Sequence, residues 1–439
     1  MDILNRSLNY VHIMSSYLIL DGEMETALKF AAERGVDVKL MLPGIPDKAV
    51  PYALAKTHYA SLMESGVKLY EYTPGFVHAK VFVSDSREAV VGTINLDYRS
   101  LYHHFECATY LYGTDCIEEI EADYQETLGK CRRVTMEMVR REKWTVKLTG
   151  RLAKAAIRAL RYRQCIAREK PDIVISFCSK ANFRSAYSMT GMRIPLLVSV
   201  RNDPQKDYAP YPAKCRYMSR KAAGCVFQTP DAQRFFDERL QRKSRVIWNP
   251  LEEKYFVQAA RGARRDSTIV TVGRITEQKN QLLLLKAFLR ISSDFPQYRL
   301  LIYGEDSGDG TKERLEAFCA GNHLEGRVVF MGTSSALEKD IANAGVFVLP
   351  SDYEGMPNAL IEAMALGIPC IATDCPCGGP AMLMKQFGGI LVPPGKEAEL
   401  ADAMRRVLSD PPSADEMGDQ ARSVRKWVHP QHIYDQWKA

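Results

Sequence analysis

Val346-Phe347-Val348-Leu349-Pro350-Ser351-Asp352-Tyr353-Glu354-Gly355-Met356-Pro357-Asn358-Ala359-Leu360-Ile361-Glu362 reads as one unit of a repeated architecture. An apolar run suited to a buried strand enters a polar turn, and Pro357 suits the first turn of the helix that follows. The same rhythm extends in both directions. Strands are expected at Ile269–Val272, Arg299–Tyr303, Val328–Phe330, Cys370–Thr373 and Ile390–Val392, each separated by a helical stretch. Upstream, Ile173–Phe177, Leu196–Val200, Cys225–Gln228 and Val246–Trp248 form an earlier series of the same kind. Such alternation predicts parallel sheets with right-handed crossovers, and two sheets in succession predict paired Rossmann-like domains with a cleft between them.

The first third has a different texture. Strands are expected at Tyr10–Leu20, Val36–Leu42, Val67–Tyr72, Lys80–Ser84, Ala89–Val91 and Glu106–Leu111, and helices at Glu23–Arg34 and Val50–Glu64. One long helix is expected from Thr114 to about Lys143, acidic early and basic late. The whole chain therefore reads as an α/β protein of several domains, ample for its 439 residues.

Composition narrows the function classes. A hydrophobic fraction of 46% and a charged fraction of 26% exclude wholesale disorder. No apolar run reaches the roughly 18 residues of a spanning helix, and the N-terminus shows no signal peptide. Eleven cysteines without paired spacing fit reduced thiols in a cytoplasm. Cys375-Pro376-Cys377, with no His or second Cys pair nearby, is not expected to bind zinc. The net charge of +6 is carried by one segment: residues 130–170 hold fourteen Lys or Arg against three Glu, so the remainder is net negative. Without interleaved aromatics or a known reading element this segment does not point to nucleic acid. Attachment to an anionic membrane surface and a solvated junction helix remain as its two readings. In the second, Leu152, Ala156 and Leu160 pack the helix against the following sheet.

Two constellations carry chemistry. After the strand at Ile269–Val272, Gly273 permits close backbone approach, while Arg274 and Lys279 supply two cations for a pyrophosphate. The helix N-terminus at Gly355-Met356-Pro357-Asn358 is a ready site for a diphosphate. Glu354 in the preceding loop and Glu362 in the early helical turns face the same cleft and can accept hydrogen bonds from sugar hydroxyls without a metal. The other constellation is His78-Ala79-Lys80, Asp85, then Gly92-Thr93-Ile94-Asn95-Leu96-Asp97. In an extended strand His78 and Lys80 share a face. Histidine can attack phosphorus, and a lysine and an asparagine beside it stabilise the equatorial oxygens.

The second constellation resembles the phospholipase D superfamily motif, His-x-Lys-x4-Asp followed by Gly-Ser/Thr-x-Asn-x-Asp. Gly66-Val67-Lys68-Leu69-Tyr70-Glu71-Tyr72, Gly75-Phe76-Val77-His78-Ala79-Lys80 and Phe105-Glu106 extend the resemblance to the second half of bacterial cardiolipin synthases over residues 1–144. It implies His78 as nucleophile or general acid, Lys80 and Asn95 on phosphate, and Asp85 and Glu106 in support. Family enzymes use two motifs and this chain carries one, so an active form is expected to be a homodimer. The other constellation, with Gln278-Lys279-Asn280, Ile302-Tyr303-Gly304-Glu305 and Thr373-Asp374-Cys375-Pro376, resembles the retaining glycosyltransferases of family 4, of GT-B fold, over residues 148–439. It implies that Arg274 and Lys279 hold the donor diphosphate, Glu362 the ribose and Glu354 the transferred sugar, with Gly273, Gly355, Met356, Pro357 and Asn358 completing the donor site. The opening β-α units of that family are missing here.

The expected organisation is a phospholipase D-type α/β unit at 1–144 and a truncated GT-B pair. The pair comprises an acceptor domain at 145–250 and a donor domain at 251–420, followed by a C-terminal helix at 421–439. Three functions stay open. The first is a hexosyltransferase using a UDP-linked donor and a lipid-linked or polysaccharide acceptor, with no cofactor, located in the cytoplasm and peripheral on the inner membrane face. The second is a dimeric phosphatidyltransferase or phosphodiesterase. The third is an inactive product of gene fusion.

Overall fold

A computed structural model describes residues 1–102, 105–256 and 265–438. His103, His104 and most of the Arg-rich stretch Arg261–Arg265 lie outside them. The chain divides into two compact units, Met1–Gln164 and Cys165–Ala439. The division falls inside the helix Trp144–Glu169.

Among its described residues the first unit contains nine strands: β1 Tyr10–Met14, β2 Leu18–Ile19, β3 Asp37–Pro43, β4 Lys68–Tyr72, β5 Val81–Ser84, β6 Glu88–Gly92, β7 Leu96–Asp97, β8 Ala108–Tyr112 and β9 Cys131–Arg133. Seven form one sheet in the order β8-β6-β5-β1-β3-β4-β9. β1, β3 and β4 run parallel; the remaining pairings are antiparallel. Alternate residues Val11, Ile13, Val38 and Leu40 turn into a core closed by Leu28 and Leu62 of the helices Gly22–Glu33 and Ala49–Glu64. Asp21 caps the first of these helices by accepting from Met24 N.

Two expectations fail here for physical reasons. The strand expected at Tyr10–Leu20 breaks after Met14, because Ser15 Oγ donates to Tyr17 O and accepts from Leu96 N. The chain then starts β2, which pairs with β7 instead. The long helix expected from Thr114 to Lys143 is two helices, Cys116–Leu128 and Met136–Arg141, with β9 between them. β9 is drawn to the sheet edge by Arg132, whose guanidinium reaches Glu71 at 2.8 Å, and by Val134, whose N–H bonds Leu69 O. Glu71 is fully buried. Besides Arg132 it accepts from Lys56 Nζ and from Tyr59 Oη at 3.3 Å, and Lys56 also bridges to Glu142 at 3.3 Å.

The helix Trp144–Glu169 approaches the helix Ala49–Glu64 so closely that a Cβ at Gly150 would stand 2.2 Å from Ala53 O. Leu152 and Leu160 are 62% and 59% exposed and Ala156 is exposed. The reading in which these three residues pack the helix into a sheet is therefore overturned.

The second unit holds two parallel sheets. Strands β10 Val174–Phe177, β11 Leu196–Ser199, β12 Gly224–Phe227 and β13 Ser244–Val246 form the first, in that order. β10 is one edge of it, with Ile173, Ile175 and Phe177 exposed. The second comprises β14 Asp266–Val272, β15 Arg299–Tyr303, β16 Val328–Gly332, β17 Ala344–Leu349, β18 Cys370–Thr373 and β19 Ile390–Val392, in the order β16-β15-β14-β17-β18-β19. The winding reverses between β14 and β17, so a crevice opens beyond their carboxyl ends. The segment 421–439, expected as one helix, is a 3₁₀ turn and two short helices, Arg425–Val428 and Pro430–Lys438. Pro430 cannot donate the N–H that a continuous helix needs.

Glu71→Ala leaves the Lys56 and Arg132 cations without their buried partner. Removing one member of a buried ion pair costs about 3–5 kcal/mol, so the urea midpoint of the first unit is expected to fall accordingly. An unchanged midpoint would show that the network is not structural.

Candidate functional sites

The crevice beyond β14 and β17 is built by two loops stitched together. Gln278 Nε2 donates to Tyr353 O at 2.9 Å, Asp352 N donates to Gln278 O at 2.9 Å, and Asn280 Nδ2 reaches Asp352 Oδ1 at 2.7 Å. Between them Lys279 Nζ meets Glu354 Oε1 at 2.6 Å, and Ser351 Oγ donates to the same oxygen at 2.7 Å. Glu354 is only 6% exposed, so the pair is a charge-assisted contact largely shielded from water. Gly273, at φ 157°, lies against the Lys279 stem, and a Cβ there would stand 3.2 Å from Lys279 Cε. Arg274 is exposed, and its carbonyl accepts from Gln281 Nε2.

Pro357 is the N-cap of the helix Asn358–Leu366, one position before the first-turn place expected of it. Met356 is buried in the core, and Asn358 Oδ1 accepts from Asn249 Nδ2 at 2.7 Å. A Cβ on Gly355 would stand 2.5 Å from Arg201 O, so only glycine lets this turn touch the chain segment after β11. Glu362 is hydrogen-bonded to the Tyr255 hydroxyl, and burial, with Glu252 adding to it, raises its carboxyl above the ordinary range against the opposing hydrogen bond and Lys254. Burial and Glu362 likewise push the Tyr255 hydroxyl up. A cavity of about 600 Å³ opens nearby, with Thr229, Asp231 and Arg234 on one side and Asp374, Cys377 and Lys385 on the other.

Sequence reasoning assigned no role to Ser351, Asn249 or Tyr255. Ser351 and Asn249 lie in loops and Tyr255 in a single 3₁₀ turn, where no periodicity signals a role.

In the first unit, His78 and Lys80 lie just before β5 and not in a strand, yet they come together, with Lys80 Nζ 3.1 Å from His78 Nδ1. His78 is exposed and Lys80 buried. Burial pulls the Lys80 ammonium below its ordinary pKa, opposed in part by the carboxylates of Glu106 and Asp97, which gather at the same place. Thr93 Oγ1 donates to Glu106. Asn95 Oδ1 is buried with no hydrogen-bond partner among the described residues. A cationic ammonium beside an accessible imidazole suits a tetrahedral phosphate ester.

Asp85 stands apart from this group. It lies at the far end of β5 in a left-handed turn (φ 53°) and accepts from the backbone N–H groups of Leu8, Asn9 and Tyr10 at 2.7, 2.9 and 2.8 Å. Its placement anchors the start of β1. Burial opposes ionisation, but the three N–H donors outweigh it and hold the carboxyl below the usual range.

Comparison with known proteins follows the same division. Residues 1–128 match the family described as Cardiolipin synthase, PLD-like domain, and residues 257–424 match Glycosyl transferases group 1. An uncharacterized protein of Streptococcus mutans is 65% identical over 153 residues, 35% of this chain and 33% of its own. A cardiolipin synthase of Halalkalibacterium halodurans is 36% identical over 134 residues, 30% of this chain and 27% of its own. The chain thus spans about a third or less of the length of the curated relatives it matches. Among solved structures, Anabaena Alr3699/HepE in complex with UDP-glucose superposes with a TM-score of 0.57 at 18% identity, over 64% of this chain and 81% of its own. Sucrose-phosphate synthase from Thermosynechococcus elongatus gives 0.56 at 18% identity, over 98% of each chain. At such identity the likeness shows the fold alone.

A carboxylate whose folded pKa is depressed stabilises the fold above its unfolded pKa, and that contribution is lost as pH falls through the folded value. Asp85→Asn is therefore expected to cost about 1.5–3 kcal/mol at pH 7. The gap to wild type should close as urea midpoints are followed down to about pH 3. A gap independent of pH would deny the carboxylate its role.

Proposed function

We propose that this chain, which joins a PLD-like cardiolipin synthase segment to a group 1 glycosyltransferase segment, transfers a hexosyl group with retention from a UDP-linked sugar to a lipid-linked or polysaccharide acceptor. One observation carries the reading: the reversal of winding between β14 and β17 brings Gly273, Arg274, Lys279, Glu354 and the N-terminus of the helix Asn358–Leu366 to one crevice. In this reading Arg274 and Lys279 take the diphosphate, Gly355 to Asn358 offer it free N–H groups, and Glu362 receives the ribose. Glu354 orients the transferred sugar. Lys279 leaves Glu354 for the diphosphate, and the freed carboxylate turns to sugar hydroxyls, so donor binding and carboxylate release are coupled. The donor half corresponds to about residues 251–420, the incomplete acceptor half to 145–250, the PLD-like unit to 1–144 and a helical tail to 421–439.

A second reading concerns the first unit. The meeting of His78 with Lys80, and the unpartnered Asn95 oxygen, favour phosphodiester chemistry with His78 as nucleophile or general acid in a homodimer. Lys80 and Asn95 would hold phosphate, and Glu106 the site's far side. The basic helix face beside exposed Trp144, Leu148 and Leu152 favours attachment to an anionic membrane surface. No helix among the described residues is long and apolar enough to span a membrane.

Calorimetry with UDP tests the first reading. Arg274→Ala is expected to lose about 1.5–3 kcal/mol, about ten- to hundredfold in affinity, and equal binding by the variant would refute the assignment. The second is tested by mixing wild type with excess His78→Ala chains. Phosphodiesterase turnover should fall as inactive heterodimers form, whereas turnover untouched by His78→Ala would end the proposal.

A further inference from the structure

The helices Ala49–Glu64 and Trp144–Glu169 enclose a cavity of about 420 Å³ within the first unit, away from His78 and Lys80. Five cations line it, Lys56, Lys147, Arg151, Lys154 and Arg158, against the single carboxylate of Glu142. Its floor is apolar, formed by Ala53, Ala60 and Val139. The size is that of ordinary small-ligand pockets.

The charge is neither scattered nor compensated. Positions 147, 151, 154 and 158 recur every three or four residues, so their side chains leave one face of one helix. The close approach permitted by Gly150 turns that face onto the cavity. Lys56 and Glu142 neutralise each other, with Glu71 and Arg132 completing that network. Lys147 gives one hydrogen bond to Arg140 O at 2.6 Å. Arg151, Lys154 and Arg158 have no carboxylate within ion-pair distance among the described residues. Like charges three or four residues apart on a helix repel. Lys154 feels this: half burial depresses its ammonium pKa, Arg158 and Lys29 add to the effect, and Glu25 offsets part of it. Beneath it His58, also buried, is held below its ordinary pKa by burial and by Lys154, against Glu25. A fold that gathers three unpaired cations around an apolar-floored cavity is complete when an anion of matching charge fills it.

We propose that this cavity is a binding site for a phosphate-bearing anion of two or more negative charges, taken by the forks of Arg151 and Arg158 with Lys154 between them. The lining includes neither His78 nor Lys80, so the site serves to hold or sense its ligand and not to transform it. The same chemistry is offered by a free diphosphate and by an anionic lipid headgroup. Exposed Trp144, Leu148 and Leu152 continue along the same helix, placing apolar side chains where the acyl part of a lipid would lie.

The test uses the full chain, titrated with inorganic pyrophosphate by calorimetry and with phosphatidylglycerol or phosphatidylcholine vesicles by co-sedimentation. The double variant Arg151→Gln/Lys154→Gln is compared with Arg133→Gln/Lys143→Gln, which removes equal charge from the same segment outside the cavity. Support requires that the cavity variant lose at least about tenfold in affinity while the control keeps wild-type binding. Pyrophosphate binding without vesicle binding assigns the site to a free anion. Binding to phosphatidylglycerol, displaced by pyrophosphate, assigns it to a headgroup. In the absence of ligand the cavity variant should also melt higher than wild type, since it relieves the repulsion. Equal losses in both variants, or no binding to either probe, would overturn the proposal.

Discussion

A carboxylate with no access to water organises the first unit. Glu71 sits inside the sheet on β4, where an isolated charge would be untenable, and its partners come from two distant parts of the chain. Lys56 and Tyr59 bind it from the helix Ala49–Glu64, and Arg132 comes from β9, sixty residues further on. Satisfying this one group sets the seventh strand of the sheet. Through Lys56 it also positions Glu142, just before the basic helix starts. The wall of the cationic cavity therefore follows from where Glu71 finds its hydrogen bonds.

The second unit is ordered differently. β12, β17 and β18 are buried along their whole length, as in a sheet covered by helices, and a polar network joins the loops beyond β14 and β17. There the pair Lys279–Glu354 does for two loops what Glu71 does for the first sheet. In the proposed reading, donor binding would compete for that pair.

Much of this was readable from the chain itself. Arg299–Tyr303, Cys370–Thr373 and Ile390–Val392 are the strands that their runs of Leu, Ile and Val predict, and the glycines and charged residues of the crevice were visible as a pattern. The failures share one cause. Cys131–Arg133 carries two arginines and has no strand signature; only a partner sixty residues earlier makes it one. Ser15 ends β1 because of a backbone N–H at Leu96. The spacing gave no sign of the hydrogen bond that Tyr255, outside any periodic element, makes to Glu362. Asp85 stood within a phosphate motif in sequence, whereas its three donors, at residues 8–10, reveal a structural anchor. Local pattern determines elements; long-range polar partners determine where they end and what their side chains face.

The edge at β10 has a consequence beyond the native state. One side of this strand has no strand partner among the described residues, with Ile173, Ile175 and Phe177 at the surface beside it. Such an edge is a template on which a second extended chain can hydrogen-bond. Arg168, Glu169, Lys170, Pro171 and Asp172 precede it directly, and charges and a proline in that position act as gatekeepers against intermolecular pairing. Neutralising these flanking charges would therefore weaken a barrier to intermolecular pairing without altering either crevice.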